Sequence, residues 1–192
     1  MKFRIENWKA ILPLVCLLCV TIVNLHASTL AATATFTDTE VSPGLFEYDL
    51  TLNNTGTTDV GTFWFSWIPG ANFMTMPPTA IQSPAGWTGV DISFSGTDSI
   101  QWVDSGSLSA GTSQSGFEFD STLTPAQMAG PSSMPGFPVA TSFVYIGAPL
   151  VGPGLQFVAT PAPASTPEPG TIILTALGIG LAGFGRKLFR RA

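Results

Sequence analysis

Residues 45–51, Leu45-Phe46-Glu47-Tyr48-Asp49-Leu50-Thr51, decide the fold class of this chain because apolar and polar side chains alternate along them. Successive side chains of a β-strand point to opposite faces of the sheet, so the stretch has one apolar face and one acidic, hydroxylated face. Phe117-Glu118-Phe119-Asp120 repeats the pattern. Both stretches therefore predict strands with one buried face.

Further strands are predicted on either side of these two, over residues 33–39, 60–68, 90–94, 99–103, 141–146 and 155–159. Turn-forming stretches separate them, notably Asn53-Asn54-Thr55-Gly56, Ser95-Gly96-Thr97-Asp98 and Ser105-Gly106-Ser107. A helical period appears only weakly, over residues 124–129, where Thr124 precedes Pro125 as a helix cap. Residues 32–160 are thus predicted to form one all-β domain, an antiparallel β-sandwich.

One part of this domain also resembles a known type of repeat. The run from Tyr48 to Thr57, followed by Leu108-Ser109-Ala110-Gly111-Thr112 and Phe117, is similar to immunoglobulin-like repeats of bacterial surface proteins. The resemblance implies an immunoglobulin-like arrangement of the sandwich.

The charges of the chain are sorted by sign. Its seven Lys and Arg residues lie at the two ends, three within residues 2–9 and four within residues 186–191. Ten of the twelve acidic residues lie within residues 32–160, a region without Lys or Arg. Nucleic-acid binding is not expected, because phosphate contacts depend on Lys and Arg.

Residues 1–27 have the composition of a secretory signal peptide. A basic start precedes an apolar run over residues 11–23, and small residues allow cleavage after Ala27 or after Ala34. The alternative is an uncleaved anchor, but such a short helix spans only about 20 Å of a roughly 30 Å hydrocarbon core. The predicted partners are the secretion translocon and signal peptidase. Cleavage after Ala27 also removes both cysteines and the single histidine.

Three segments follow the predicted domain. They are a Pro/Ala-rich linker over residues 161–166, the motif Pro167-Glu168-Pro169, and an apolar segment over residues 171–185 with a basic end. The linker composition favours extended polyproline II. The apolar segment predicts a single C-terminal transmembrane helix whose basic end lies in the cytoplasm.

This order of motif, glycine-rich apolar segment and basic end, over residues 167–192, resembles the PEP-CTERM sorting domain of Gram-negative bacteria. In that family the motif is recognised by exosortase, a membrane cysteine transpeptidase that removes the tail and delivers the protein to the surface or the exopolysaccharide layer. The resemblance implies that Pro167, Glu168 and Pro169 are recognition residues and that the inner membrane holds the chain transiently. The alternative is a plain C-terminal anchor behind a proline-rich linker.

The predicted mature domain lacks His, Cys and Lys, which excludes a Ser-His-Asp triad, a Cys–His pair, a Schiff-base lysine and a His-based zinc site. Only carboxylate chemistry remains, and the acids mostly alternate with aromatic residues, as on a solvated strand face. The sequence therefore predicts no enzyme, no cofactor and no metal site. Acidic pairs two residues apart could still gather Ca²⁺, although solubilising charge is the simpler interpretation. The pairs are Asp38 with Glu40, Glu47 with Asp49, and Glu118 with Asp120.

Trp64, Trp87 and Trp102 have two interpretations. Large aromatic side chains supply much of the apolar volume of a core, which favours burial. On a surface rimmed by acids, the same three residues would form a platform for stacking sugars.

Taken together, these features predict an exported cell-surface or extracellular-matrix protein. Its β-domain has a non-catalytic structural or adhesive role associated with exopolysaccharide. The alternative is a carbohydrate-binding or carbohydrate-active exoprotein that uses Trp and Asp/Glu residues.

Overall fold

Twelve β-strands and one short helix form the part of the chain that the computed structural model describes, residues 28–132 and 134–163. The strands are β1 (Ala32–Ser42), β2 (Leu45–Asn54), β3 (Val60–Phe65), β4 (Trp67–Ile68), β5 (Ala71–Asn72), β6 (Thr79–Gln82), β7 (Trp87–Phe94), β8 (Thr97–Leu108), β9 (Ser113–Ser121), β10 (Thr141–Tyr145), β11 (Gly154–Val158) and β12 (Thr160–Pro161). The helix, α1, spans Pro125–Met128.

Most of these strands belong to two five-stranded sheets. The first sheet has the order β12-β1-β2-β9-β6 and the second has the order β11-β10-β3-β8-β7. Every pairing is antiparallel except that of β1 with β12. A separate two-stranded hairpin consists of β4 and β5. The predicted all-β class with antiparallel sheets is therefore confirmed.

The first sheet buries the apolar face that the alternation predicts. On β2, Tyr48, Leu50 and Leu52 are fully buried, while the residues between them are partly exposed. Tyr48 pairs with Phe119 and Leu50 with Phe117 on the neighbouring strand. A stripe of large apolar side chains thus runs across the middle of this sheet.

Aromatic side chains of the second sheet pack against this stripe. Phe117 makes edge contacts with Phe63, Trp102 and Trp87, with ring centroids 5.3, 5.3 and 5.0 Å apart. Phe63 and Trp102 in turn stack on each other at 5.5 Å. Buried residues of both sheets therefore form one continuous hydrophobic cluster, and Phe117 of the first sheet lies against the aromatic rings of the second.

The opposite face of the second sheet carries a separate aromatic cluster. Trp64 stacks on Trp67 with centroids 4.0 Å apart, and Trp67 meets Phe143 edge-on. Tyr145 completes the cluster. The ring of Phe143 lies so close to Gly154 that no Cβ would fit there. β3 is consequently buried on both faces, which accounts for its aromatic sequence.

Residues 60–68 do not form the single strand that the sequence predicts. Ser66 has φ 60°, in the left-handed region, and divides β3 from β4. The chain then turns so that β4 pairs with β5, which places Trp67 on Trp64. The sequence gives no sign of this break, because β3 and β4 both bury aromatic side chains and together read as one apolar run.

The predicted turn at Ser105-Gly106-Ser107 is also wrong, because these residues lie inside β8. The register shows why: Val60 pairs with Leu108, but Thr62 pairs with Val103. The additional residues of β8 bulge out of the ladder, and Ser107 takes φ 80°. The turn predicted at Ser95-Gly96, in contrast, is a two-residue hairpin with both φ angles positive.

The predicted helix cap is confirmed. The Thr124 side chain accepts a hydrogen bond from the backbone N–H of Gln127, and the Gln127 side chain accepts one from the backbone N–H of Thr124. Pro125 occupies the first turn and Met128 is buried. This reciprocal cap holds a single helical turn at one end of the domain.

Near the end of the described residues, the chain crosses from the second sheet to the first. β11 pairs with β10, the N–H of Ala159 donates to the oxygen of Ala140, and β12 then pairs with β1. The N–H of Ala162 donates to the oxygen of Phe36. Sheet hydrogen bonding therefore continues into the first residues of the predicted linker.

Several predicted segments lie outside the described residues. They are the signal peptide (1–27), the rest of the linker, and the sorting tail with its transmembrane helix (171–185). Within residues 28–132 and 134–163, no helix is long and apolar enough to cross a membrane.

The aromatic contact between the sheets gives a first prediction. Phe117→Ala removes a fully buried ring that touches three others, and it should lower the free energy of unfolding by about 3–5 kcal/mol. The matched control, Phe94→Ala, changes a ring that is 60% exposed and should alter it by less than about 0.5 kcal/mol. Urea unfolding followed by tryptophan fluorescence measures both values. Equal losses in the two variants would contradict this account of the core.

Candidate functional surfaces and the sorting segment

The three tryptophans that the sequence offers as a sugar platform do not share a surface. Trp87 and Trp102 lie in the cluster between the sheets, whereas Trp64 lies on the opposite face of the second sheet. All three are more than nine-tenths buried. The indole N–H of Trp102 donates to the oxygen of Gln82, and that of Trp64 to Ser99 Oγ. The three rings, and the indole N–H groups of Trp64 and Trp102, are therefore engaged within the domain.

Two of the predicted acidic pairs meet on the outer face of the first sheet. Glu47 lies directly opposite Asp120, and Asp49 lies directly opposite Glu118. These four residues, named here the acidic square, alternate with the buried residues of β2 and β9. The sequence predicts each pair along its own strand, but not the pairing across strands, which depends on the register.

Electrostatic repulsion acts within the acidic square. Burial, followed by the charges of Asp49 and Glu47, raises the pKa of Glu118. Residues 28–163 contain no Lys, Arg or His that would compensate these charges. Like charges directly opposite each other destabilise a sheet. The acidic square therefore costs the fold some stability.

The described residues contain no group of three or more acidic side chains that could hold one metal ion. Carboxylates on neighbouring strands stand about 4.8 Å apart along a sheet, which does not by itself make them converge on one point. The third pair, Asp38 and Glu40, lies opposite Tyr48 and Phe46 of β2. It therefore belongs to the other face of the first sheet from the acidic square.

Three further groups have raised pKa values. Burial raises the pKa of Tyr145, and burial followed by the charge of Asp38 raises that of Tyr48. The Tyr48 hydroxyl donates to the oxygen of Leu123 at 2.6 Å, which keeps it in its phenol form inside the domain. At the edge of the second sheet, burial and then Asp98 raise the pKa of Asp91.

A groove of about 410 Å³ opens beside α1 at one end of the domain. Its lining is uncharged and mostly apolar: Phe73, Thr75, Leu123, Ala126, Gln127, Gly130, Pro131, Ser132 and Val139. A glycosidase needs two carboxylates beside its substrate, and this groove has none. The sequence gives no periodic signal for the groove, because loops and a single helical turn form it.

The predicted signal cleavage site, Ala27, and the sorting residues Pro167, Glu168 and Pro169 lie outside the described residues. Within the part of the chain that the structure describes, Ala162 makes the last hydrogen bond to the first sheet, and Pro167 follows five positions later in the sequence. Even a fully extended polyproline II segment of that length covers only about 15 Å.

Comparison with protein-family models matches residues 165–191 to the PEP-CTERM protein-sorting motif. The match includes Pro167, Glu168 and Pro169, and it confirms the resemblance drawn from the sequence. Comparison with curated proteins gives no match. The chain therefore carries a sorting motif that identifies an exported protein targeted to exosortase, while the matched region does not include the β-domain.

The acidic square gives a second prediction. Glu118→Gln removes one of four opposed charges and should raise the free energy of unfolding at pH 7 by about 0.5 kcal/mol, or about 2 °C in Tm. Asp59→Asn is the control, since it removes one charge at the far end of the domain, where Asp59 accepts bonds from Ser107 and Ala110. The difference in Tm between Glu118→Gln and the unaltered chain should become smaller in high salt, because salt screens the repulsion between the carboxylates.

The pH dependence of stability follows from the same residue. The folded pKa of Glu118 lies above the unfolded value, so the folded state takes up the proton first as the pH falls. The contribution of Glu118 therefore becomes more favourable as the pH falls through the folded pKa, and this gain ends below the unfolded value of about 4.3. Glu118→Gln should flatten that part of the Tm profile. A Glu118→Gln profile that matches Asp59→Asn at every pH would refute the repulsion.

Proposed function

We propose that this chain is a cell-surface or extracellular-matrix protein whose β-domain has a structural or adhesive, non-catalytic role after exosortase processing. The observation that carries the proposal is the PEP-CTERM motif at residues 165–191. A signal peptide at the other end and a predicted transmembrane helix over residues 171–185 fit the same route.

The proposed route has three steps. The translocon exports the chain and signal peptidase cleaves after Ala27. The tail then holds the domain at the inner membrane until exosortase acts at Pro167-Glu168-Pro169. The released domain finally joins the cell surface or the exopolysaccharide layer. The hydrogen bond of Ala162 to the first sheet lies five positions before the motif, so the described domain reaches close to the proposed cleavage site.

We propose further that the two sheets form an immunoglobulin-like β-sandwich. Apart from β12 at the edge of the first sheet, the layout β1-β2-β9-β6 facing β11-β10-β3-β8-β7 corresponds in space to the two sheets of a variable-type immunoglobulin domain. The connections differ, because the chain enters β6 before it forms β7 and β8. The likeness is thus one of layout and not of chain order.

A non-catalytic role is supported by the chemistry of the surfaces. The acidic square lies on a sheet face and the groove beside α1 contains no carboxylate. The alternative, a carbohydrate-binding or carbohydrate-active protein that uses Trp64, Trp87 and Trp102, has less support because all three indoles are buried.

The negative charge of the domain limits which polysaccharides it can bind. Residues 28–163 carry ten acidic side chains and no basic ones, so acidic polymers are repelled. We propose that association with exopolysaccharide involves neutral or cationic sugars.

The sorting step gives a third prediction. In a host that contains the matching exosortase, the unaltered chain should yield a released species that begins near Ser28 and ends near Pro167 to Pro169. Glu168→Ala should retain the tail and remain in the inner-membrane fraction. Pro163→Ala, which lies before the matched residues, is the control and should be released. Fractionation with intact mass analysis measures all three.

Two outcomes would contradict the proposal. Release of the Glu168→Ala chain with the same C-terminus would remove the motif from the mechanism. A full-length tail on the unaltered chain would identify it as a plain membrane anchor.

A further inference from the structure

A long unpaired strand borders the second sheet. β7 pairs with β8 at each of its eight positions without a register shift. Within the part of the chain that the structure describes, no strand lies on its other side. β7 also contains no proline. An edge strand of this kind exposes unpaired backbone groups that can bond to a further extended chain.

The other three edges of the two sheets are less suited to such pairing. β12 has two residues, one of which is Pro161. β6 has four residues, and its register shifts beside Ala80, which takes φ 49°. β11 has five residues and leads, after one residue, into β12 of the first sheet. Short strands, proline and bulges all discourage edge pairing. β7 is thus the edge best able to accept a further strand.

Backbone groups of alternate residues face the free side of β7. The N–H and oxygen of Asp98 bond to Met74, so Asp98 does not bond to Ser93, which lies opposite it on β7. In an antiparallel pair, bonded and non-bonded positions alternate. The N–H and oxygen of Gly89, Asp91 and Ser93 therefore face away from β8, where no described strand meets them.

The two faces of β7 differ in polarity. Val90 and Phe94, on the outer face, are 43% and 60% exposed, and Ile92 between them packs against the separate aromatic cluster. Asp91 belongs to the opposite face, because it lies opposite the buried Ile100. β7 therefore combines an apolar stripe on one face with its single charged residue on the other.

β7 is complementary to a second copy of itself. When two copies lie antiparallel and pair over residues 88–94, Val90 comes opposite the partner's Ile92, and Thr88 comes opposite the partner's Phe94. Apolar side chains opposite each other stabilise a sheet. Asp91 then comes opposite the partner's Asp91 at the centre of the pair. Like charges in that position oppose the pairing.

The charges around Asp91 favour its neutral form. Burial, followed by the charge of Asp98 on β8, raises the pKa of Asp91. The other strands that approach β7, β5 and β6, contain no charged residue. A second copy brings only further acids to the contact, since residues 28–163 contain no Lys, Arg or His. The approach of two β7 edges therefore favours protonation of Asp91.

We propose that two copies of this chain pair antiparallel through β7 and that the charge of Asp91 controls this association. When Asp91 is ionised, repulsion across the pair keeps the copies apart. When it is protonated, the repulsion is lost and the acid can donate a hydrogen bond to the partner's carboxyl oxygen. The second sheets of the two copies then join across β7. Because association takes up protons, it strengthens as the pH falls through the pKa of Asp91 and levels off below it.

Disulfide trapping in the whole chain tests the contact and its register. Chains with Cys16→Ser and Cys19→Ser are purified in mild detergent, and Val90→Cys chains are mixed with Ile92→Cys chains. In the proposed pair these two positions have Cα atoms about 4.5 Å apart, within the range that a disulfide needs. The thiol at position 90 is first converted to its pyridyl disulfide. The thiol at position 92 then displaces pyridinethione at acidic as well as neutral pH, and non-reducing electrophoresis measures the rate of dimer formation.

Asp91→Asn imitates the protonated carboxyl group at every pH. At about pH 7 it should raise the rate of cross-linking about tenfold over the chain that keeps Asp91. This ratio should fall toward one at about pH 4, where the natural carboxyl group takes up its proton. Asp59→Asn is the matched control, because it removes the same charge far from β7, and it should change the rate by less than about twofold.

Ser93→Pro tests the backbone contact in a second way. It removes an N–H that faces the free side, so the pairing of β7 with β8 should persist while pairing with a second copy is lost. Added to Asp91→Asn, it should return cross-linking to the rate of the unaltered β7. An unchanged near-ultraviolet circular dichroism spectrum shows that the domain stays folded.

Three results would overturn the inference. Equal rates for Asp91→Asn and Asp59→Asn at about pH 7 would remove Asp91 from control of the association. Fast cross-linking that survives Ser93→Pro in a folded chain would place the contact elsewhere. Faster cross-linking to Phe94→Cys chains than to Ile92→Cys chains would shift the register away from Asp91. Exosortase processing enters none of these measurements, so their outcome is independent of the proposed function.

Discussion

The contact of Phe117 with Phe63 and Trp102 is the interaction on which the rest of the domain depends. It joins the alternating strands of the first sheet to the aromatic strands of the second. Within residues 28–163 the sequence provides no disulfide and no cation for an ion pair, so burial of apolar surface and backbone hydrogen bonding must stabilise the fold. Rings that bury large areas in specific geometries suit that task.

The same alternation that builds the core also distributes the charge. Each acidic residue of β2 and β9 is placed outward because its neighbours are placed inward, and the register then sets Glu47 against Asp120 and Asp49 against Glu118. This repulsion lowers the stability of the fold, while the resulting acidic surface favours solubility outside the cell. The basic residues remain in the terminal segments, where they flank apolar runs. Export and folding thus use separate parts of the chain.

Local patterns predict the regular parts of this fold, and longer-range pairing decides the rest. The alternation of apolar and polar residues in β2, the hairpin at Ser95-Gly96 and the cap at Thr124 can be predicted from the sequence, because each depends on neighbouring residues. The break at Ser66 and the bulge before Leu108 depend on which strand lies alongside, and β5, β6 and β12 are too short to show a period. The acidic square follows the same rule: its members are predictable, but their cross-strand pairing is not. The sorting motif needs no tertiary context, and the sequence alone identifies it.

If the contact of Phe117 with Phe63 and Trp102 holds the two sheets together, residues 28–163 should fold without either terminal segment. Urea unfolding of that fragment, followed by near-ultraviolet circular dichroism and by tryptophan fluorescence, measures whether it does. We expect one cooperative transition that coincides for the two signals, with a strong near-ultraviolet spectrum from the packed indole and phenyl rings. A weak near-ultraviolet spectrum with a broad, non-coincident transition would contradict it.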